Sequence, residues 1–175
     1  MTHILEETFL GPGFPYVYAN GPAEVPTVEI ARNRGLNCVA LAHLCVSVLS
    51  GYKLPRELLC TELYFDTEHF EPVDSADASV GDLVWLGRSS PTPAREFVPK
   101  YNGRELINWG AFPVNHVGVV VGRQDDLQIL HASQYHGTIT VSSLSDLSSL
   151  PRYAALHGLS RLRQEYEVIR KLLSA

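Results

Sequence analysis

Apolar residues repeat with a helical period between positions 37 and 50. The i, i+3, i+4, i+7, i+8 spacing is typical of one buried helix face, here made of Leu41, Leu44, Cys45, Val48 and Leu49. Asn37 is a residue type that caps helix N-termini, and Gly51 is one that ends helices. The pattern therefore predicts a buried helix with Cys38 in its first turn.

The second half of the chain is dominated by short β-branched and apolar runs. We expect strands over 83–86, 116–122, 127–131 and 138–141. The turns between the last three runs are short, and such connections favour an antiparallel meander. A helix packed on an antiparallel sheet gives an α+β fold class.

The remaining segments have weaker patterns. Residues 1–35 are rich in glycine and proline and predict an irregular lead-in with at most a short turn of helix. We expect a short helix within 55–65, a polar turn over 71–79, and a long loop or insertion over 87–113. A C-terminal amphipathic helix over 159–173 is predicted by one shared apolar face: Leu159, Leu162, Tyr166, Ile169 and Leu173.

Composition places the chain among ordinary globular proteins. Its 175 residues are 45% hydrophobic and 19% charged, which fits a single domain over 1–175. A formal net charge of −5 without a basic run argues against a nucleic-acid partner. No apolar run reaches the roughly 18 residues of a membrane span, and the N-terminus lacks a secretory pattern. We expect a cytoplasmic protein without a membrane partner, unless a dedicated export system delivers it; the sequence leaves the oligomeric state open.

The three cysteines, Cys38, Cys45 and Cys60, indicate neither a disulfide framework nor a zinc site. Their number is odd and no C-x-x-C spacing occurs. No H-E-x-x-H motif and no carboxylate cluster at ligand spacing is present, so we expect neither a metal nor an organic cofactor. Cys45, in the middle of the apolar helix face, is expected to be an ordinary core residue.

Cys38 occupies a position suited to nucleophilic catalysis. Free backbone N–H groups and the helix dipole at a first turn favour a thiolate and can receive an oxyanion. His116 enters one predicted strand and His131 ends the next, so adjacent antiparallel strands bring the two rings side by side. One histidine can take the thiol proton while a third polar group orients it. A buried structural cysteine is the alternative interpretation at this point. A structural or exposed role is expected for the other histidines: His3, His43, His69, His136 and His157.

Four segments, in order, resemble motifs of the NlpC-type cell-wall cysteine peptidases, a papain-like family. The family motifs are G-x-P-Y-x-x-G-G, D-C-S-G-L, P-G-D-L-V-F-F, and H-V-G-I-Y-x-G followed by a strand ending in I-H-A. The corresponding segments here are 13–20 (GFPYVYAN), 37–41 (NCVAL), 80–86 (VGDLVWL), 116–122 (HVGVVVG) and 130–133 (LHAS). Together they cover roughly residues 11–142.

The resemblance implies a papain-like fold and a role for each matched residue. Cys38 is implied to be the nucleophile, with its backbone N–H in the oxyanion hole. His116 is implied to be the base and His131 the residue that orients it. Tyr16 resembles a family tyrosine that lines the site near the thiol.

The residues flanking the nucleophile depart from the family motif. Asn37 and Val39 stand where relatives that cleave murein stem peptides have an Asp and a Ser that contact the substrate. We predict that both positions contact substrate here too. Asn37 offers no carboxylate to a free amine and Val39 offers no hydroxyl, so the substrate itself stays open.

These observations predict a cysteine peptidase or amidase that hydrolyses a small peptide-like amide through an acyl-enzyme on Cys38. A murein-type peptide or a related peptide is the expected substrate class, and no cofactor is needed. An acyltransferase with the same machinery is an alternative, although such relatives commonly place the histidine before the cysteine. A non-catalytic binding module that keeps the fold is a third hypothesis.

Overall fold

The computed structural model describes residues 2–11, 13–17, 27–54, 60–90, 101–102, 105–106 and 112–166. Within these ranges, no helix is both long and apolar enough to cross a membrane.

The described residues form five α-helices and eight strands. The helices are α1 (Thr2–Phe9), α2 (Val28–Arg34), α3 (Cys38–Ser50), α4 (Cys60–Phe65) and α5 (Leu144–Ser148). The strands are β1 (Phe70–Val73), β2 (Leu83–Gly87), β3 (Tyr101–Asn102), β4 (Glu105–Leu106), β5 (Val114–Arg123), β6 (Leu127–Ser133), β7 (Thr138–Ser143) and β8 (Ala155–Leu162). Short 3₁₀ turns lie at Ser75–Asp77, Pro151–Tyr153 and Gln164–Tyr166.

A six-stranded antiparallel sheet with the order β1-β8-β2-β5-β6-β7 forms the centre of the fold. The predicted strands at 83–86, 116–122, 127–131 and 138–141 are confirmed, and β5, β6 and β7 form the expected meander. Strands β3 and β4 pair separately as a small antiparallel ladder. Helices packed on an antiparallel sheet confirm the predicted α+β fold class.

Helix α3 forms where the apolar period predicts it. The Asn37 side chain accepts a hydrogen bond from the Ala40 backbone N–H at 2.8 Å, which satisfies one free donor of the first turn. Gly51 ends the helix with a left-handed φ of 73°, a conformation that glycine adopts without steric cost. Leu41 and Cys45 are fully buried, so the apolar face and the core role of Cys45 are confirmed.

The sheet is buried on both faces, which explains the near-continuous apolar run of β5. Val117, Val119 and Val121 pack into one core with α1, α3 and α4. On the opposite face, Val120 packs into a second core with Tyr153 and Leu159, among others. A central strand covered on both sides reads as continuously apolar because neither set of alternating side chains meets water.

The predicted C-terminal helix is wrong over the residues that the structure describes. Residues 155–162 form strand β8, which pairs with β1 on one edge and β2 on the other. Leu159 lies opposite both Val73 and Val84. The i, i+3 spacing of the apolar residues is compatible with a helix. Pairing with a strand on each side satisfies the backbone hydrogen bonds of this segment, so it forms a strand despite that spacing. Residues 167–173 lie outside the described part of the chain.

Two further expectations need correction, and a third is confirmed over the described residues. The lead-in is more helical than predicted, because α1 buries Leu5 and Phe9, four residues apart, and Thr27 caps α2. The polar turn over 71–79 contains most of β1. The short helix expected within 55–65 forms over Cys60–Phe65, while 55–59 lie outside the described residues. The insertion over 87–113 lies mostly outside them as well.

Candidate active site

Cys38 is the first residue of α3 and keeps part of its surface exposed. Burial raises the pKa of its thiol above the ordinary value. The backbone N–H groups of Val117, Val39 and Cys38 itself act in the opposite direction, because each stabilises the thiolate. Desolvation is the larger effect, so the resting sulfur carries its proton. The involvement of Val117 places the thiol beside the segment of β5 that also carries His116.

Two histidines from neighbouring strands form a buried pair. His116 of β5 is 3% exposed and His131 of β6 is 1% exposed. Nε2 of His116 lies 3.2 Å from Nδ1 of His131, with the rings nearly perpendicular. The expected side-by-side placement of the two rings is therefore present.

Ser142 on β7, which the sequence patterns did not predict as a site residue, extends the hydrogen bonding of the histidine pair. Nε2 of His131 lies 3.1 Å from the Ser142 hydroxyl. His131 pairs with Thr140 in the sheet register, and Ser142 is two residues further along the same strand. Residues two apart on a strand point to the same face, which brings the hydroxyl to the imidazole. The alternation in the segment TITVSS was the sequence signal for this contact.

Both imidazoles are held neutral near pH 7. Burial lowers the pKa of His116 well below its ordinary value, and the charges of His131 and Arg152 add to the shift. Burial, followed by the charge of His136, lowers the pKa of His131 to about 4. Each neutral ring carries one proton, so the direction of the hydrogen-bond chain matters.

One direction of this chain leaves a proton acceptor. If Nε2–H of His116 donates to Nδ1 of His131, then Nε2–H of His131 donates to Ser142. Nδ1 of His116 is then unprotonated and can receive a proton. The opposite direction would place a proton on that atom and remove its capacity as a base.

A 3₁₀ turn at Pro151–Tyr153 covers His116 from the other side. The Tyr153 ring stacks on the His116 ring with centroids 4.4 Å apart and planes inclined by 23°. Burial raises the pKa of Tyr153 to about 12, so its phenol stays neutral. Asn115 ties the turn to β5 by donating a hydrogen bond to the Arg152 carbonyl at 3.3 Å. No local sequence pattern predicted that this turn would be part of the site.

The residues predicted to contact substrate lie around the start of α3. Tyr16 forms a bridge with Leu36, and its phenol is near enough to Tyr153 to contribute to the raised pKa of that residue. The Asn37 side-chain oxygen is engaged by the helix cap. Val39 is partly buried against the core, and its backbone N–H faces the thiol.

Cys60, at the start of α4, is a second thiol near Cys38 that the motifs did not indicate. Burial raises the pKa of Cys60 well above its ordinary value, and a thiolate at Cys38 would raise it further.

Within the described ranges no hydrogen bond joins Cys38 to His116. The same ranges contain no cluster of three or more His, Cys, Asp or Glu side chains that could hold a metal ion.

Comparison with solved structures identifies a neighbour of the same fold. It is a protein of Staphylococcus aureus subsp. aureus Mu50 described as similar to a lipoprotein of the NLP/P60 family. The superposition has a TM-score of 0.54 at 18% sequence identity and covers 92% of this chain. It covers 41% of the neighbour, so the chain spans less than half of that protein's length. No protein-family model and no curated protein matches the chain. At this identity the likeness shows an NlpC/P60-like fold.

Proposed function

We propose that the protein is a cysteine peptidase or amidase that hydrolyses a small peptide-like amide through an acyl-enzyme on Cys38. The observation that carries this proposal is the buried His116–His131 hydrogen bond of 3.2 Å next to the first turn of the helix that begins at Cys38. A nucleophile, a base and an orienting group are the minimum set for this chemistry.

The first half-reaction forms the acyl-enzyme. The Cys38 sulfur attacks the substrate carbonyl carbon while Nδ1 of His116 takes the thiol proton. The carbonyl oxygen becomes an oxyanion, which the backbone N–H of Cys38 and the positive end of α3 stabilise. The His116 imidazolium then gives its proton to the leaving nitrogen, the C–N bond breaks, and a thioester remains on Cys38.

The second half-reaction releases the acid. His116 removes a proton from a water molecule as the water oxygen attacks the thioester carbon. The C–S bond breaks when the tetrahedral intermediate collapses, and the sulfur recovers its proton from His116. The product is a carboxylic acid, and no cofactor takes part in the proton or electron balance.

The protonation states of the resting site suit a general-base mechanism. Burial raises the pKa of Cys38 and lowers that of His116, so both groups start neutral. The proton then moves as the sulfur attacks, rather than in an earlier step. His131 supports the transfer because its Nδ1 accepts the Nε2–H of His116, which becomes more acidic once the ring is charged.

The motif resemblance and the structural likeness together support a murein-type peptide, or a related peptide, as the substrate class. Asn37 replaces the motif aspartate, and its side-chain oxygen caps α3. An uncharged residue there disfavours a substrate that is recognised by a free amine.

The test is the alkylation rate of each cysteine by iodoacetamide, read by peptide mass mapping. Cys38 is expected to react faster than Cys45 and Cys60 near pH 7. His116→Ala is expected to slow Cys38 by at least about tenfold because the thiol loses its proton acceptor. His157→Ala is the matched control, because His157 is also buried and its ring lies 3.1 Å from the Arg88 carbonyl.

The proposal would be contradicted if Cys38 is inert, or if its alkylation rate is unchanged in a folded His116→Ala protein. Either result would favour a non-catalytic binding module. His116→Gln provides a second variant of closer volume, and circular dichroism checks the fold of both. Incubation of reactive protein with peptide amides, with and without hydroxylamine, then separates hydrolysis from acyl transfer by the mass of the product.

A further inference from the structure

Three side chains, Asp66, His69 and Tyr52, form a hydrogen-bonded chain at the opposite end of α3 from Cys38. We call this chain the tyrosine relay. Helix α3 has 13 residues, from Cys38 to Ser50. At 1.5 Å per residue its two ends are about 18 Å apart. Tyr52 follows two residues after the helix, and its backbone N–H donates to the Ser50 hydroxyl at 3.0 Å. The tyrosine relay is therefore separate from the proposed hydrolytic site.

Asp66 and His69 form the inner part of the tyrosine relay. Oδ2 of Asp66 lies 2.7 Å from Nδ1 of His69, and each side chain is only 8% exposed. Oδ1 of the same carboxylate accepts the backbone N–H groups of Glu68 and His69 at 3.1 and 3.0 Å. A carboxylate only accepts hydrogen bonds, so the proton of the neutral imidazole is on Nδ1 and its Nε2 is an acceptor.

This acceptor nitrogen of His69 faces a tyrosine hydroxyl. Oη of Tyr52 lies 3.0 Å from Nε2, and the tautomer makes the phenol O–H the donor. The order carboxylate, imidazole, hydroxyl is the one in which a buried acid and base activate a nucleophile, and tyrosine is among the side chains that form covalent intermediates. Tyr52 occupies the place of the nucleophile and, unlike the two inner residues, is partly exposed as a whole residue while His69 is buried.

The Tyr166 ring covers the tyrosine relay on one side. Its centroid lies 4.7 Å from that of His69 and 4.8 Å from that of Tyr52. The centroids of Tyr52 and His69 are 5.6 Å apart, so the three rings form one packed cluster. Packing of this kind fixes the ring orientations and reduces competition from water for the contact between Nε2 and Oη. The hydroxyl is thus held against its base before any reagent binds.

The charges around the tyrosine relay favour a neutral reagent. Asp66 supplies one carboxylate, and Glu68 and Glu165 are exposed in the segments that carry His69 and the covering ring. A positive charge in the same region, that of Arg163, faces another carboxylate at 3.6 Å. Negative surroundings repel anionic phosphoryl and nucleotidyl donors, so an uncharged acyl donor is the reagent class that fits.

We propose that Tyr52, His69 and Asp66 form a second reactive site, in which Tyr52 accepts an acyl group from a neutral activated ester. Oη attacks the ester carbonyl carbon while Nε2 of His69 takes the phenol proton. The bond between that carbon and the leaving oxygen then breaks, and His69 gives the proton to the departing alcohol. The product is O-acyl-Tyr52, and the Asp66 carboxylate stabilises the transient imidazolium. The step uses no residue of the site at Cys38, so it goes beyond the proposed hydrolysis and does not depend on it.

The test is acetylation by p-nitrophenyl acetate, read by peptide mass mapping in a Cys38→Ala protein, which lacks the competing thiol. Tyr135 is the internal reference because it is 59% exposed. Accessibility alone predicts that Tyr135 reacts faster than the partly exposed Tyr52. Activation by the tyrosine relay predicts the reverse order, with Tyr52 faster by at least about tenfold.

Two substitutions test the inner residues of the tyrosine relay. His69→Gln removes the base. Asp66→Asn keeps an oxygen for the backbone N–H groups, but its amide donates to Nδ1 and moves the ring proton to Nε2. Each is expected to slow acetylation of Tyr52 by about tenfold or more and to leave Tyr135 unchanged. Glu68→Gln is the matched control, because it removes an exposed carboxylate next to His69 and keeps all three side chains of the relay.

Three outcomes would overturn the second site. Tyr52 could react no faster than Tyr135, or its rate could be unchanged in both inner variants while circular dichroism shows that they are folded. An equal loss in Glu68→Gln would assign the effect to the general charge of the region. Alkylation of Cys38 by iodoacetamide in the wild type tests the proposed hydrolysis separately, so either proposal can fail while the other stands.

Discussion

Nδ1 of His131 lies 3.2 Å from Nε2 of His116, and Gly118, two residues after His116 on β5, leaves room for the neighbouring strand β6. A Cβ placed on Gly118 would lie 3.5 Å from Cβ of His131 and 2.4 Å from a methyl carbon of Ile129. The glycine of the H-V-G segment thus makes room for β6 to carry its imidazole to the base. Glycine is needed at position 118 because a side chain would clash with β6, and not because the backbone has a positive φ.

Gly118→Ala is expected to destabilise the protein by about 1–3 kcal/mol, because the added methyl overlaps Ile129 and must push β6 away. The displacement of His131 should also slow alkylation of Cys38. Thermal unfolding and cysteine mapping measure the two effects. Gly11→Ala is the control, since a Cβ there meets nothing within 4 Å. A Gly118→Ala protein with unchanged stability and thiol reactivity would show that the strands adjust without cost.

His131→Ala is expected to reduce both stability and activity, because it leaves the buried Nε2 of His116 without its partner. An unpaired buried polar group costs about 1–3 kcal/mol. Ser142→Ala removes only the outer contact, at 3.1 Å, and should reduce activity less than His131→Ala does. Rates of peptide-amide hydrolysis and urea unfolding of the two variants test this order. Equal losses of activity would mean that His131 orients the base only while Ser142 holds it in place.

The pH dependence of the rate follows from the two shifted groups. The pKa of His116 is lowered, so the ring stays an unprotonated acceptor as the pH falls through 6.5, the ordinary value, and is lost as a base only below it. The pKa of Cys38 is raised, so no thiolate forms until alkaline pH. We expect kcat/KM to fall on the acid side below pH 6.5 and to show no acid limb above it. An acid limb centred above that value would contradict a neutral, buried base.

An ion pair with a buried carboxylate fixes the turn before β2. Asp82 is 2% exposed and accepts hydrogen bonds from Nε and Nη2 of Arg161 at 2.8 and 2.7 Å. It also accepts one from the Ser79 backbone N–H at 2.8 Å. This contact explains the aspartate of the V-G-D-L segment as a structural residue.

Asp82→Ala is expected to lower the free energy of unfolding by about 2 kcal/mol, because it removes the acceptor of the Ser79 N–H and of Arg161, although Arg161, at 35% exposed, can still reach water. The control is Glu71→Ala, which breaks the Arg163–Glu71 pair at 3.6 Å, where the two side chains are 34% and 47% exposed. That variant should lose less than about 1 kcal/mol. Denaturant unfolding of both variants tests the difference, and losses of equal size would count against a special role for the buried Asp82 carboxylate.

Local periodicity predicted the elements whose apolar pattern and caps agree. Helix α3 follows from five apolar positions between an Asn cap and a Gly stop, and β5, β6 and β7 follow from short apolar runs with tight turns. The adjacency of His116 and His131 could also be predicted, because consecutive antiparallel strands are neighbours.

The sequence by itself determined the α+β class, the helix that begins at Cys38 and the strands that carry the two histidines. Only the tertiary structure decided that residues 155–162 are a central strand, because the partners that satisfy their backbone, β1 and β2, are distant in the chain. The same holds for the turn that stacks Tyr153 on His116. It also holds for the protonation states, since the pKa shifts of Cys38 and His116 arise from burial, which depends on the packing of the whole molecule and not on local residue type.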